Sequence, residues 1–227
     1  MSYKDQFRQA AALAMVLALI GATAGLSAAT VSPQQRVVKI ETFGATYGEW
    51  SARWWQWLLS IPAAINPNLD ATGANCDQGQ KNNEDDVWFL AGTFGGSATR
   101  TCTIPAGKPI FFPLINTAVF KPVDGETLLD LRRQASAFIN SVSVLECTID
   151  GVALSNLFAF RVHSPSFSID LPPGGLVQGN ATATVVSDGY WLLLSPLPPG
   201  PHTIHFRGAT SGGELVVDVI YNLMIAS

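Results

Sequence analysis

The sequence is short of charge. Only 13% of its 227 residues are Asp, Glu, Lys or Arg, against roughly 25% in ordinary soluble domains. The 13 basic residues are scattered and outnumbered by 17 acidic ones, for a net charge of −4. That balance excludes a basic nucleic-acid-binding surface. Hydrophobic residues make up 48%, so general disorder is excluded as well, because disordered chains are charge-rich and apolar-poor. Compact catalytic signatures are missing: there is no G-x-S-x-G, no Walker loop, no G-x-G-x-x-G and no C-x-x-C. Gly92-Thr93-Phe94-Gly95-Gly96 reads as a turn, since no helix carrying a Lys follows it to cradle a phosphate. Beyond residue 22 every apolar run is cut by Pro, Gly or charge, which leaves no further candidate for a membrane span.

What is present begins with a leader. Lys4 and Arg8 form a basic start, positions 10–22 are almost wholly apolar, and Ser27-Ala28-Ala29 offers small residues for cleavage before Thr30. This is the layout of a secretion signal over 1–29. The apolar run falls short of the roughly 20 residues that cross a bilayer. Cleavage would deliver a secreted or periplasmic chain with no membrane span. Residues 30–227 read as one β-rich domain, without an internal repeat or a low-complexity linker.

Export permits disulfides. Three cysteines give one pair and one single thiol. Cys76 lies in a polar loop and Cys102 borders a strand-like run, so these two are paired. Cys147 alternates with Leu145 and Ile149 on an apolar face, which predicts a buried thiol.

The local grammar is mainly β. Thr46 and Glu49 form a capping box, and Tyr47, Trp50, Trp54, Trp57 and Leu58 then mark one face of a Trp-rich N-terminal helix that Pro62 ends. Positions 63–86 read as a long loop needing a staple. Strand patterns are expected at 37–40, 87–90, 110–115, 142–149, 158–162, 167–171, 181–186, 190–194, 202–206 and 215–225. Asp150-Gly151 is the strongest hairpin signal. One inserted helix is expected over 126–140, capped by Asp124, with Leu128, Leu131, Ala135, Phe138 and Ile139 on one face. The sum is a β-sandwich or jelly roll with two helices.

Several residues invite chemistry. His202-x-x-His205 suggests a metal pair, but in a strand positions three apart face opposite ways, which favours a half-buried strand. The 70–86 loop, with Asp70, Asp77, Asn82, Asn83, Glu84, Asp85 and Asp86, offers the oxygen ligands of a Ca²⁺ site or a solvated surface. Glu49, Glu146 and Asp218 are candidates for the paired carboxylates of a glycosidase. Asp218, inside an apolar run, is equally explained by a partner such as Arg161 or Arg207. Asp188-Gly189-Tyr190-Trp191 places a carboxylate and two aromatics at a turn, so Asp188, Tyr190 and Trp191 are the ligand-binding candidates, as a platform for a sugar ring. No catalytic residue is assigned.

Four stretches carry a resemblance. They are Trp50-Ser51-Ala52-Arg53-Trp54-Trp55-Gln56-Trp57, Val87-Trp88-Phe89-Leu90-Ala91-Gly92, Ile104-Pro105-Ala106-Gly107-Lys108-Pro109-Ile110-Phe111-Phe112-Pro113, and Ser187-Asp188-Gly189-Tyr190-Trp191 leading to Pro199-Gly200-Pro201-His202-Thr203-Ile204. Together they resemble a group of secreted bacterial proteins known mainly as hypothetical. The resemblance implies no activity and no functional residue. The last of these runs also looks like the closing hairpin of Ig-like or jelly-roll modules, which speaks to fold alone.

Three functions are expected to compete. The first is a non-catalytic binding module for carbohydrate. The second is a secreted polysaccharide hydrolase or lyase, and the third is a structural or assembly protein of the envelope. Glycan or envelope components are the expected partners, and no cofactor beyond the Ca²⁺ of the 70–86 loop is expected. Exposed aromatics in a groove would mark the first, facing acids the second, and a large dry apolar patch or an open sheet edge the third.

Overall fold

Alternation of buried and exposed positions from residue 87 onward builds two five-stranded sheets. The computed structural model describes residues 32–37, 43–80, 87–177 and 182–227. The leader at 1–29, Val38 and Ile40 of the first expected strand, and the acidic run at 82–86 lie outside the described residues. No helix among the described residues is long and apolar enough to cross a membrane.

In chain order the helices are α1 (Pro33–Arg36), α2 (Tyr47–Ser60) and α3 (Leu128–Asn140). The strands are β1 (Trp88–Phe89), β2 (Gly96–Ile104), β3 (Ile110–Lys121), β4 (Val142–Ile149), β5 (Val152–Ala153), β6 (Arg161–His163), β7 (Phe167–Asp170), β8 (Thr182–Leu194), β9 (Gly200–Thr210) and β10 (Val216–Ile225). One sheet runs β1-β3-β8-β6, with β7 also pairing β8; the other runs β2-β10-β9-β4-β5. The expected mainly β sandwich with a Trp-rich helix is therefore present.

Two apolar layers hold it together. Between the sheets, Phe112, Leu192 and Leu194 from one side meet Ile204, Phe206, Val219 and Tyr221 from the other. On the opposite face of the β3-β8 sheet, α2 buries Trp50, Trp54, Trp55 and Trp57 against Phe89, Phe111, Trp191 and Leu193. The alternation of β8 serves both layers at once, with Val185, Trp191 and Leu193 toward α2 and Tyr190, Leu192 and Leu194 toward the second sheet. Phe111 stacks on Trp191 at 5.1 Å, and Trp54 meets Trp191 edge-on at 5.3 Å. Three indoles also find acceptors: Trp54 Nε1 donates to the Leu90 carbonyl, Trp55 Nε1 to Ser187 Oγ, and Trp57 Nε1 to the Gln78 carbonyl. α3 closes one end, with Leu131 and Ala135 against Val119 and Val186.

Local expectations mostly hold. The Thr46–Glu49 capping box starts α2. Asp150 and Gly151 turn β4 into β5 with φ of 52° and 77°, the left-handed pair a tight hairpin requires. Cys76 and Cys102 are bonded, and Cys147 is a buried free thiol.

Four expectations are corrected. α3 is capped by Thr127 with Asp130, not by Asp124; Asp124 instead accepts the Phe120 amide. The strand expected at 158–162 is a 3-10 turn over Leu157–Phe160 followed by β6. Of the strand β2 only a strand-like run at Ile104 was expected, because its inward positions Ala98, Arg100 and Cys102 are too small or too polar to read as apolar alternation. The segments 181–186 and 190–194 are one strand, β8. Its Ser187-Asp188-Gly189 centre reads as a turn but lies mid-sheet, where a side chain at Gly189 would come 2.6 Å from Asn116 Cβ. Glycine is there because β3 passes too close for a Cβ.

Candidate functional site

The structure puts the three ligand-binding candidates inside the fold. Asp188 is 0% exposed and Trp191 is 0% exposed, and Tyr190 is buried too. Asp188 and Tyr190 face one side of β8 and Trp191 the other, so they form no exposed platform. Asp188 is held by Arg161, with Nε–Oδ1 at 3.1 Å and Nη2–Oδ2 at 2.8 Å. Ser136 Oγ also donates to Asp188 at 3.3 Å, and His163 Nδ1 lies 3.2 Å away. The carboxylate raises the Arg161 guanidinium pKa, chiefly by direct hydrogen bonding. Arg161 also reaches Asn140 Oδ1 and the Ser136 carbonyl. This cluster ties α3, β6 and β8 together.

The other candidates are dispersed. His202 pairs with Asp150 and His205 with Asp218, each at 2.8 or 2.7 Å, on opposite faces of β9. Glu146 and Asp218 flank Arg207 at 3.8 and 4.0 Å on the outer face of the β9-β10 sheet. Glu49 closes the α2 cap, where the Thr46 amide and then its hydroxyl hold the carboxyl below the usual range. No group of three metal-ligating side chains occurs among the described residues. Asp70 folds onto its own loop, accepting from Thr72 and Asn75.

A cleft that was not expected runs along β3. Its volume is about 470 Å³, within the range of small-ligand sites. On one side β3 pairs with β8 from Ile110 to Lys121. On the other side β1 covers only Ile110 and Phe111. Past Pro113 no described strand pairs that second edge, and the cleft follows it along Asn116, Thr117, Ala118 and Phe120. Trp54, Trp55 and Leu59 of α2 wall one face, and Phe138, Leu215 and Val217 the other. Phe94, 56% exposed, stands at the lip. None of the described lining residues is charged.

Register fixes which backbone groups meet the cleft. Ser187, opposite Ala118, gives its amide to Ser164 Oγ and takes the Ser164 amide on its carbonyl. Phe120 likewise exchanges its amide and carbonyl with Asp124, at 2.8 Å each. In an antiparallel ladder bonded and non-bonded pairs alternate. Ala118 and Asn116 therefore turn their N–H and C=O away from β8 and toward the bare edge. Asn116 also lines the cleft, with its Nδ2 buried and without a hydrogen-bond partner among the described residues.

The rim is set by a buried cation. Arg100, 1% exposed, donates to the carbonyls of Asp70, Ala91 and Asn68 and to the Tyr221 hydroxyl. It thereby fixes Asn68 and the segment leading to Thr93 and Phe94, all of which line the cleft. Burial raises the Tyr221 pKa, against the pull of Arg100, so the hydroxyl stays neutral and donates to the Ala91 carbonyl.

No protein-family model, no curated protein and no solved structure matches the chain. The reading of the site therefore rests on its own chemistry. Sequence reasoning missed the cleft because its walls come from α2, β3, α3, β10 and four loops. The one legible signal was Asn116 in an otherwise apolar run, at the point where β3 loses its second neighbour.

Proposed function

We propose that the chain is a secreted, non-catalytic binding protein whose ligand lies in the β3 cleft. The observation that carries this reading is an uncharged, aromatic-walled cleft of about 470 Å³ along the part of β3 that no described strand pairs on its second side, with Asn68, Thr93, Asn116 and Thr117 as its polar lining. The walls favour a neutral ligand with apolar faces. Proton-transfer chemistry needs a titratable side chain within reach of the substrate. The described lining residues supply only Asn and Thr as polar groups, which supports binding over catalysis. Glu49, Glu146 and Asp218 lie outside the lining, so the paired-carboxylate hydrolase gains no support. Secretion is supported by the leader pattern at 1–29 and agrees with the disulfide.

Two partner classes stay in view. A neutral carbohydrate is supported by the half-open face of Phe94 with Asn68, Thr93, Asn116 and Thr117 as polar contacts. Envelope assembly is supported by the bare β3 edge. Thermal melting against neutral oligosaccharides and neutral peptides, repeated with Ala118→Phe to fill the cleft, tests the site. A ligand at 100 times its Kd raises stability by about 2.7 kcal/mol. The reading expects that rise in the parent chain and its loss in Ala118→Phe. An equal rise in both would place the ligand elsewhere.

A further inference from the structure

We infer that the cleft takes an extended, uncharged peptide segment of another polypeptide, added as a strand to the bare edge of β3. This rests on the β3 cleft being the binding site, and it names the occupant.

Three features converge on a strand rather than a sugar or a small apolar molecule. First, Asn116 and Ala118 present two N–H and two C=O groups at strand spacing, on the same side and past the end of β1. An incoming strand matches that array with its own main chain, and affinity then comes from backbone hydrogen bonds irrespective of side-chain identity. Second, both faces beside the edge are apolar, with Trp55 and Leu59 on one and Phe138 and Leu215 on the other. Side chains of a strand alternate between faces, so the occupant needs apolar groups at both parities, as in strands buried on both sides. Third, charge is absent from the described lining, so a charged side chain entering it would be desolvated without a counter-charge.

Among the described residues, the edge also lacks the devices that normally block strand addition. Those are charge, proline or a covering element along the exposed strand. Here Pro113 stops short of the open part, and from Asn116 to Phe120 the edge carries Asn, Thr, Ala, Val and Phe. Protection begins only at Phe120, where Asp124 folds back and takes both backbone groups. The free length is short, which fits a peptide segment better than a long strand exchange between whole sheets.

The test uses the full chain and a phage-displayed peptide library. Recovered peptides should carry a run of consecutive uncharged, mainly apolar residues. A recovered peptide is then resynthesised with N-methyl groups on alternate amides, in either of the two registers. One register should lose roughly tenfold or more in affinity, which is about 1.4 kcal/mol, and the other should not. Only one set of amides faces β3. Ala118→Pro removes the edge donor without touching the ladder to β8 and should weaken the parent peptide similarly, with near-UV circular dichroism showing an intact fold.

Failure to recover any peptide, or equal affinity in both methylated registers, overturns strand addition. If Ala118→Phe abolishes binding while methylation in either register does not matter, the cleft stands and the strand falls. If the peptides bind Ala118→Phe unchanged, the cleft and the strand fall together. A dimer of the chain alone that Ala118→Pro dissolves would give the edge to a second copy and overturn the assignment to another polypeptide.

Discussion

Arg161 holds the fully buried carboxylate of Asp188 through two parallel hydrogen bonds, at 3.1 and 2.8 Å. The fork geometry matches the carboxylate plane, which a lysine would not reproduce. Removing one partner leaves a buried charge without its counter-ion, at about 3–5 kcal/mol. Arg161→Met should lower unfolding stability in urea by that amount, and Arg161→Lys should recover only part. Replacing both members, Arg161→Met with Asp188→Leu, should cost less than Arg161→Met alone. A loss under about 1 kcal/mol for Arg161→Met would class the pair with exposed ion pairs.

Trp191 separates a sugar platform from a core. As a core residue stacked on Phe111, its truncation to Ala should destabilise the fold by about 3–5 kcal/mol. A surface platform would lose ligand and keep its melting temperature. Differential scanning calorimetry of the variant reads the difference directly.

The cysteines should behave as two kinds. The Cys76–Cys102 bond spans 26 residues, and closing a loop of that length removes about 3–4 kcal/mol of unfolded-state entropy in the chain model. The double variant Cys76→Ser with Cys102→Ser should be less stable by up to that amount. Burial pushes the Cys147 thiol up to about 12, so little thiolate forms at neutral pH. A thiol reagent should label the native chain negligibly and take up one equivalent on denaturation. Rapid native labelling would contradict the burial.

Three carboxylates set an acid limit. Glu49 is lowered by the Thr46 amide and then its hydroxyl, and Asp130 by the Thr127 hydroxyl and then its amide. At Asp70 desolvation pushes upward, but the amides of Asn75 and Thr72 outweigh it. A group with a depressed folded pKa stabilises the fold above its unfolded pKa, and that contribution is lost as pH falls through the folded value. Melting temperature should therefore be insensitive to these groups above about pH 5 and should drop below about pH 4. Glu49→Gln with Asp130→Asn should flatten the drop, since the amides keep the caps without titrating. An unchanged acid slope would remove these groups from the account.

Much of the architecture was legible. Thr46 and Glu49 marked the first turn of α2, Asp150-Gly151 marked the hairpin, and the polar loop around Cys76 demanded the staple that Cys102 provides. These are local signals, settled within a few residues. The failures are tertiary. Arg100 hid β2 because its inward position is satisfied by carbonyls contributed from Asn68, Asp70 and Ala91, which no spacing reveals. Asp188-Gly189 mimicked a turn because the glycine answers to Asn116 on a neighbouring strand. The cleft was illegible for the same reason: it exists only because β1 ends after Phe89 while β3 runs on.

The most direct measurement is residue-resolved amide hydrogen exchange across β3 in the free chain. The account predicts that the amides of Asn116 and Ala118 exchange fast, while those of Thr117 and Val119, directed to β8, are protected along with Phe120, held by Asp124. Equal protection at Asn116, Thr117, Ala118 and Val119 would mean that the edge is already paired, and it would contradict the open cleft on which the proposed function stands.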